Sequence, residues 1–199
     1  MIILPSAYLA PVSYYALMLA HGREVLIEQH EHYVKQTLRN RTVIATEAGR
    51  MALTIPVEHS GGKKVAMRDV RISEHGNWKH LHWQALRAAY DKSPFFEFYT
   101  DDFALFYDTK PTKFLLDFCL QLQQTVCGLL NMQFEPRLTE SYMPEGEFTD
   151  LRSAFCKPKV NTTPYYQVFA HRHGFLPDLS IVDLLFNMGP EGLLVLKKG

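Results

Sequence analysis

The hydrophobic and polar positions at the start of the chain predict a strand, a helix and a second strand. Ile2 to Leu4 form a short apolar run that Pro5 ends, and Val25 to Ile27 form another. Between these runs, Pro11 suits the first turn of a helix and Gly22 suits its C-terminal cap. A strand, loop, helix and strand in this order favour two parallel strands joined by a helical crossover.

The following segment has the pattern of β structure. Residues 42–46 and 51–57 flank the turn residues Glu47 to Arg50, which predicts an antiparallel hairpin. Residues 65–72 alternate partly between apolar and polar side chains, which predicts one further strand.

The middle of the chain has helical spacing. Helices are predicted over Trp78–Tyr90 with Asn77 as the cap, from Ser93 to about Tyr107, and from Pro111 onward. Residues 133–163 lack periodicity and contain several prolines, which predicts a long irregular arm.

Two elements are predicted after that arm. Residues 165–170 are interpreted as a returning strand. Ser180 is interpreted as the cap of a helix over residues 181–188, with Asp183 in the capping-box position. All the elements together predict an α/β protein with a mixed, partly parallel sheet, a strand–loop–helix–strand start and a helical insert. No repeat or boundary divides the 199 residues, so a single domain over 1–199 is expected.

Charge and cysteine content exclude some functions. The 21 basic and 21 acidic residues balance, which argues against a nucleic-acid-binding protein. Cys119, Cys127 and Cys156 form no C-x-x-C pair, so reduced thiols in a cytoplasmic protein are expected. The N-terminus lacks the pattern of a signal peptide, and no apolar run is long enough to span a membrane, so no membrane insertion is expected.

A run of cationic and amide side chains is the first candidate for ligand binding. Lys35, Arg39 and Arg41 alternate with uncharged residues that include Gln36 and Asn40, so an extended segment would place the three cations on one face. The Pro-framed loop over residues 4–11 feeds the first helix, and the two features together predict a seat for an anionic small molecule. The alternative is a solvated cationic edge that discourages strand aggregation.

Histidines are the second group of candidates. Three H-x-H pairs occur, at 30/32, 80/82 and 171/173, and the pair 30/32 after a predicted strand is the best candidate to chelate a metal. Because spacing supplies no third ligand, surface or hydrogen-bonded histidines are the favoured interpretation, and no metal ligands are assigned. His82 lies on an apolar stripe of its predicted helix. It is either a packed side chain or a general base at the edge of a pocket, and packing is the commoner outcome.

Five short motifs are spread along nearly the whole chain. They are Ala7-Tyr8-Leu9-Ala10-Pro11, the run from Lys35 to Asn40-Arg41, Leu53-Thr54-Ile55-Pro56-Val57, Trp78 and His82 followed by Ser93-Pro94-Phe95-Phe96, and Tyr165 and Gln167 followed by residues 174–185. In this order they resemble the WbqC-like protein family, which is named from sugar-antigen gene clusters. The start departs from the family pattern, because Leu4-Pro5 replaces a Gln-Pro pair and Ala10-Pro11 replaces Trp-Pro.

The resemblance implies a role near the biosynthesis of surface polysaccharides such as O-antigens, or of related glycoconjugates, without specifying a reaction. Carried over residue by residue, the candidates for a shared site are Tyr8, Lys35, Asn40, Arg41, His82, Gln167 and Asp183. Asp183 also has the competing interpretation of a helix cap.

Two functional hypotheses follow. The first is a transferase that acts on a nucleotide-activated sugar or a carrier-bound small molecule. Lys35 and Arg41 would bind phosphate or carboxylate, Tyr8 and Asn40 would orient the substrate, and His82 would be the base. The alternative is a non-catalytic binding or assembly protein with a biosynthetic enzyme as partner. The sequence identifies no cofactor. It does predict that Tyr8, Arg41 and His82 converge in space.

Overall fold

The first elements of the fold form a parallel β–α–β unit. A computed structural model describes residues 1–59, 61–108, 113–135, 137–144, 146, 148–155 and 162–198. Strand β1 (Ile2–Pro5) pairs in parallel with β2 (Val25–Glu28), and helix α1 (Val12–His21) makes the crossover. Gly22 ends α1 with φ of 48°, and its N–H donates to the carbonyl of Met18. The predicted parallel pair with a helical crossover is confirmed.

A third strand completes this sheet on the other side of β1. Strand β5 (Thr149–Asp150) pairs in parallel with β1, so the strand order is β2-β1-β5. Because all three strands are parallel, their carboxyl ends lie at one edge of the sheet. The segment predicted to be irregular therefore contributes a short strand.

The predicted hairpin forms a second, two-stranded sheet. Strands β3 (Arg41–Thr46) and β4 (Gly49–Thr54) are antiparallel, and Arg41 pairs with Thr54. The mixed α/β class of the fold is thus confirmed, with the parallel strands and the hairpin in separate sheets.

Six further α-helices follow the hairpin in the described part of the chain. Helix α2 spans Trp78–Tyr90 as predicted, and α6 spans Ile181–Met188 as predicted. The others are α3 (Phe96–Asp108), α4 (Leu115–Leu129), α5 (Ala170–His173) and the C-terminal α7 (Gly192–Leu196). The predicted start of α4 at Pro111 lies outside the described residues.

Several local predictions are wrong. Residues 65–72 form isolated bridges and a 3₁₀ turn over Met67–Asp69 instead of a strand. Residues 165–170 form no strand and lead directly into α5. Neither Asn77 nor Ser180 makes a side-chain capping hydrogen bond at its helix. At these positions tertiary contacts outweigh the local pattern, and Ser180 donates its hydroxyl to the Leu9 carbonyl instead.

One hydrophobic core joins the two ends of the chain. It includes Ile2 and Leu4 of β1, Phe103 of α3, Phe186 of α6 and Leu196 of α7. Cys119 and Cys127 are buried free thiols on α4, while Cys156 lies outside the described residues. Among the residues that the structure describes, no helix is long and apolar enough to cross a membrane.

Candidate functional site

The Tyr8 and His82 side chains meet in a buried hydrogen-bonded cluster. The Tyr8 hydroxyl lies 2.9 Å from His82 Nδ1 and 2.7 Å from the Tyr107 hydroxyl. His82 also packs against Trp78, with ring centroids 5.2 Å apart, and only 5% of its surface is exposed. The structure brings these two predicted residues together inside the aromatic core.

Burial sets the charge state of His82 in this cluster. Burial lowers the pKa of His82 to about 4, and a hydrogen bond to the Thr54 backbone opposes this shift. The imidazole is therefore neutral at physiological pH, with the Tyr8 hydroxyl at its Nδ1 and the Thr54 backbone beside it. Because the ring is enclosed by these partners and by Trp78, the geometry favours the packed interpretation of His82, and its role as a base stays a prediction.

Gln167 and Asp183 meet in a second buried cluster. Asp183 Oδ2 accepts from the Tyr165 hydroxyl at 2.7 Å and from Gln167 Nε2 at 2.9 Å, and its Oδ1 accepts from the Tyr90 hydroxyl at 2.9 Å. Gln167 also exchanges two hydrogen bonds with the backbone of Leu176. The predicted capping role of Asp183 is replaced by this set of bonds.

Asp183 is fully buried, and its burial raises the pKa of its carboxyl. Burial raises the pKa of its carboxyl from 3.8 to about 6, and the hydrogen bonds from Tyr165, Tyr90 and Gln167 oppose the shift. The hydrogen bonds of Asp183 hold residues 165–183 against Tyr90 of α2. Because Asp183 has no exposed surface, its carboxylate is not available to a ligand.

An ionic network lies at the carboxyl ends of the parallel strands. Arg39 donates from Nε and Nη2 to both oxygens of Glu31 at 2.8 and 2.6 Å. Glu28, the last residue of β2, accepts from Thr139 Oγ1 at 2.8 Å and lies 3.4 Å from Arg152 Nη1. Arg152 also pairs with Asp150 of β5. We call these five charged residues the ionic network.

The sequence did not reveal this network. An extended segment would place Arg39 on one face with Lys35 and Arg41, but residues 33–40 form turns and loop instead. Arg39 is therefore buried with Glu31. Glu28 and Glu31 have no spacing signal of their own, because their partners depend on the chain reversal before β3.

Arg41 lines a surface cleft of about 420 Å³. The cleft, called the Arg41 cleft below, is bordered by the loop before α1, the turn before β3 and the segment before α6. Its polar lining residues are Gln36, Thr37, Arg41, Thr42, Asp178 and Ser180. Arg41 donates from Nε to Thr54 Oγ1 at 3.0 Å.

Backbone strain is concentrated around the Arg41 cleft. Gln36 and Asp178 line it with positive φ of 59° and 52°, and Leu9 in the neighbouring loop has φ of 43°. Non-glycine residues rarely adopt this region, and such residues often accompany functional sites. Asp178 Oδ1 accepts from the Ser13 N–H at 3.0 Å, so it also caps α1.

Lys35 lines a different cleft of about 500 Å³, called the Lys35 cleft below. Its lining residues include four cations, two carboxylates and one tyrosine: Lys35, Lys63, Lys64, Arg71, Glu58, Asp69 and Tyr33. Lys35 and Arg41 therefore do not share one site.

Thr54 connects the predicted residues that do converge. Its hydroxyl accepts from Arg41, and its backbone interacts with His82, whose Nδ1 lies 2.9 Å from the Tyr8 hydroxyl. Tyr8 and His82 are thus in direct contact, while Arg41 reaches them only through Thr54. Asn40, next to Arg41, donates from Nδ2 to the Ile55 carbonyl at 2.9 Å, and its buried Oδ1 has no hydrogen-bond partner within the described ranges.

The histidine pairs do not assemble a metal site in the part of the chain that the structure describes. No group of three or more His, Cys, Asp or Glu side chains there has the geometry to hold a metal ion. His30 Nε2 instead lies 3.2 Å from the Thr139 carbonyl, and His173 Nε2 lies 2.9 Å from that of Glu47.

Comparison with known proteins identifies the family. The profile described as the WbqC-like protein family matches residues 6–167. A curated relative, "Uncharacterized protein Rv1507c" of Mycobacterium tuberculosis, is 25% identical over 221 residues, which cover 95% of this chain and 94% of that protein. None of the solved structures gives a significant match. Because the match covers most of its length, the chain belongs to the WbqC-like protein family.

Proposed function

We propose that the protein is a transferase that binds an anionic substrate in the Arg41 cleft. The observation that carries the proposal is the state of the Arg41 guanidinium. Among the described residues it forms no ion pair, and its only side-chain hydrogen bond goes to the neutral Thr54 hydroxyl. Its outer nitrogens can therefore bind a phosphate or carboxylate in two-point fashion.

The substrate class follows from this cation and from the family. We propose a nucleotide-activated sugar or a carrier-bound small molecule, used in surface-polysaccharide or related glycoconjugate biosynthesis in the cytoplasm. With a nucleotide-activated sugar, the acceptor hydroxyl or amine would bond to the sugar while the bond from the sugar to the donor phosphate oxygen breaks. The phosphate then leaves with the electron pair, and the acceptor proton passes to a base.

Two groups are candidates for that base. His82 was predicted, but its low pKa and enclosed ring make it a weak one. Asp178 was not predicted, and its carboxylate lines the Arg41 cleft itself. We therefore propose Asp178 as the proton acceptor, and Tyr8 and His82 as residues that position Thr54 and, through it, Arg41.

The other predicted residues support the walls of the cleft. Gln167 and Asp183 hold the segment that carries Asp178 and Ser180. Asn40 joins the chain before β3 to the Ile55 carbonyl after β4. These buried contacts suit positioning roles better than direct contact with a ligand.

A thermal-shift screen followed by turnover assays tests the proposal. The panel contains nucleotide sugars, acyl-CoA donors, nucleotides and amino acids, and a ligand of the native state raises the melting temperature. R41Q should abolish the shift with the bound compound, while R87Q, which changes an exposed arginine on α2, should retain it. Equal shifts in both variants would refute a ligand role for Arg41.

Turnover separates the two candidate bases. D178N keeps an oxygen for the Ser13 N–H and tolerates positive φ, so it should fold and lose at least about a hundredfold in kcat. H82Q should retain most of its kcat per folded molecule. The reverse result would make His82 the base.

The assembly-protein alternative has one observation in its favour. Phe98 and Leu105 lie two turns apart on α3 and are 76% and 64% exposed. Exposed apolar side chains on one helix face suit a protein partner. Binding of a biosynthetic enzyme that F98D abolishes, in a protein with no turnover of any pathway intermediate, would support this second function.

A further inference from the structure

The Lys35 cleft concentrates positive charge in a protein whose formal net charge is zero. Its cations come from three separate segments: Lys35, the pair Lys63 and Lys64, and Arg71. Among the described residues, none of the three lysines has an ion-pair partner within reach. Of the two carboxylates, Asp69 is already paired with Arg68 at 3.6 Å. The cleft therefore keeps an excess of unpaired positive charge.

The floor of the same cleft is apolar and aromatic. Val57, Val65 and Val70 line it together with the half-buried Tyr33, whose N–H donates to the Val65 carbonyl at 2.9 Å. Burial raises the pKa of the Tyr33 phenol to about 12, so the side chain stays neutral beside an anion. A flat organic group could pack on this floor while an attached polyanion contacts the lysines.

The Lys35 cleft and the Arg41 cleft share one wall. Tyr33 and Lys35 line the first, while the next residues, Gln36 and Thr37, line the second. The chain passes from one cleft to the other at a turn, where Gln36 has positive φ and Thr37 Oγ1 donates to the Val34 carbonyl at 2.8 Å. A single segment of chain thus separates the two clefts, and a ligand of moderate size could contact both.

We propose that the Lys35 cleft binds the diphosphate of a nucleoside-diphosphate donor, with the nucleoside packed on Tyr33 and the transferred group directed into the Arg41 cleft. This inference rests on the proposed transferase function, because it divides one donor between a diphosphate subsite and the cleft of the reaction. The lysines act as point charges for the diphosphate.

Isothermal titration of the full-length protein with UDP, ADP and inorganic pyrophosphate tests this subsite. K63A/K64A should weaken binding of UDP or ADP by about tenfold at low ionic strength. The matched control K197A/K198A removes the same charge at the exposed C-terminal end of the described chain and should change binding less than about twofold.

A second variant separates the nucleoside from the diphosphate. Y33L keeps an apolar side chain but removes the ring, so it should weaken UDP or ADP severalfold and leave pyrophosphate unchanged. Equal loss for all three probes would leave a diphosphate site with no nucleoside subsite and would overturn the nucleoside assignment. Melting temperatures near that of the wild type confirm that the variants are folded.

The remaining outcomes distinguish this inference from the proposed function. If R41Q abolishes binding and K63A/K64A does not, the donor lies wholly in the Arg41 cleft, so the subsite is refuted while the transferase proposal survives. If K197A/K198A weakens binding as much as K63A/K64A, the interaction is nonspecific and the subsite is refuted. No binding of any probe also refutes it, while turnover with a carrier-bound donor would still support a transferase.

Discussion

Arg39 in the ionic network and Arg41 in its cleft are separated by one residue, yet the first pairs with a buried carboxylate and the second with a neutral hydroxyl. Arg39 has a side chain 6% exposed and forms a two-point ion pair with Glu31. Arg41 is partly exposed and bonds only to the neutral Thr54 hydroxyl within the described residues. The first charge is paired with a carboxylate inside the protein, whereas the second has no charged partner among the described residues, which is why we propose that it binds a ligand.

The comparison teaches how to separate structural from functional charges. A buried ion with its partner removed costs several kcal/mol, so the ionic network must stay complete for the fold to survive. A partly exposed arginine in a cleft has no such constraint, because water satisfies it until a ligand arrives. Residue type and spacing do not distinguish the two cases; the partners do.

The largest expected effect comes from breaking the ionic network at Glu28. This fully buried carboxylate accepts from the His30 N–H, Thr139 Oγ1 and the Met143 N–H, and it faces Arg152. Glu28→Ala should lower the free energy of unfolding by about 3–5 kcal/mol in urea titrations. It leaves those donors without their acceptor and removes one of the two carboxylates that face Arg152.

A surface ion pair provides the control for Glu28. Glu47→Ala removes the exposed partner of Arg172 and should cost less than about 1 kcal/mol. Similar losses for both variants would mean that the buried network is no more important to the fold than a surface pair.

Asp183 is a buried carboxylate without a cationic hydrogen-bond partner, in contrast to Glu28, so its contribution to the free energy of unfolding depends on pH. Its folded pKa of about 6 lies above the unfolded value of 3.8, so the folded state binds the proton more tightly. This group therefore destabilises the fold as pH rises from about 4 to 6, by on the order of 3 kcal/mol.

The D183N variant isolates this contribution, because asparagine does not titrate. The unfolding free energy of the wild type minus that of D183N should fall between pH 4 and pH 6 and stay level above pH 7. A difference that is constant across this range would contradict the raised pKa.

A smaller effect is expected at Thr54, which joins Arg41 to His82. T54V removes the hydroxyl that accepts from Arg41 but keeps the backbone beside His82. Ligand binding in the Arg41 cleft should weaken by about three- to tenfold, because one hydrogen bond that orients the guanidinium is lost. T46V removes a hydroxyl at the other end of the hairpin and should leave affinity unchanged.

The elements that the sequence predicted correctly have dense, regular patterns. The β1–α1–β2 unit has uninterrupted apolar strands and a clear glycine stop, and α2 has a helical stripe from Trp78 to Tyr90. Residues 65–72 alternate only partly, and their backbone finds bridges to separate partners such as Val57 with Ile72. A weak pattern is resolved by tertiary contacts, which the sequence does not display.

The candidate site was predictable only in part, for a related reason. Residue types identified Arg41, Tyr8 and His82, but their link through Thr54 requires the hairpin register that pairs Arg41 with Thr54. Asp178 was missed because it reaches the Arg41 cleft from a distant segment and has positive φ. Arg39 was misplaced because the turn that brings it to Glu31 has no glycine or proline to mark it.

Urea unfolding of R39Q and R41Q, measured side by side, tests the central comparison most directly. The two variants make the same substitution on either side of Asn40. R39Q leaves Glu31 buried without its charge partner and should lose about 3 kcal/mol or more, while R41Q should lose less than about 1 kcal/mol. Equal losses in the two variants would show that Arg41 is a structural charge and would contradict its assignment to a ligand.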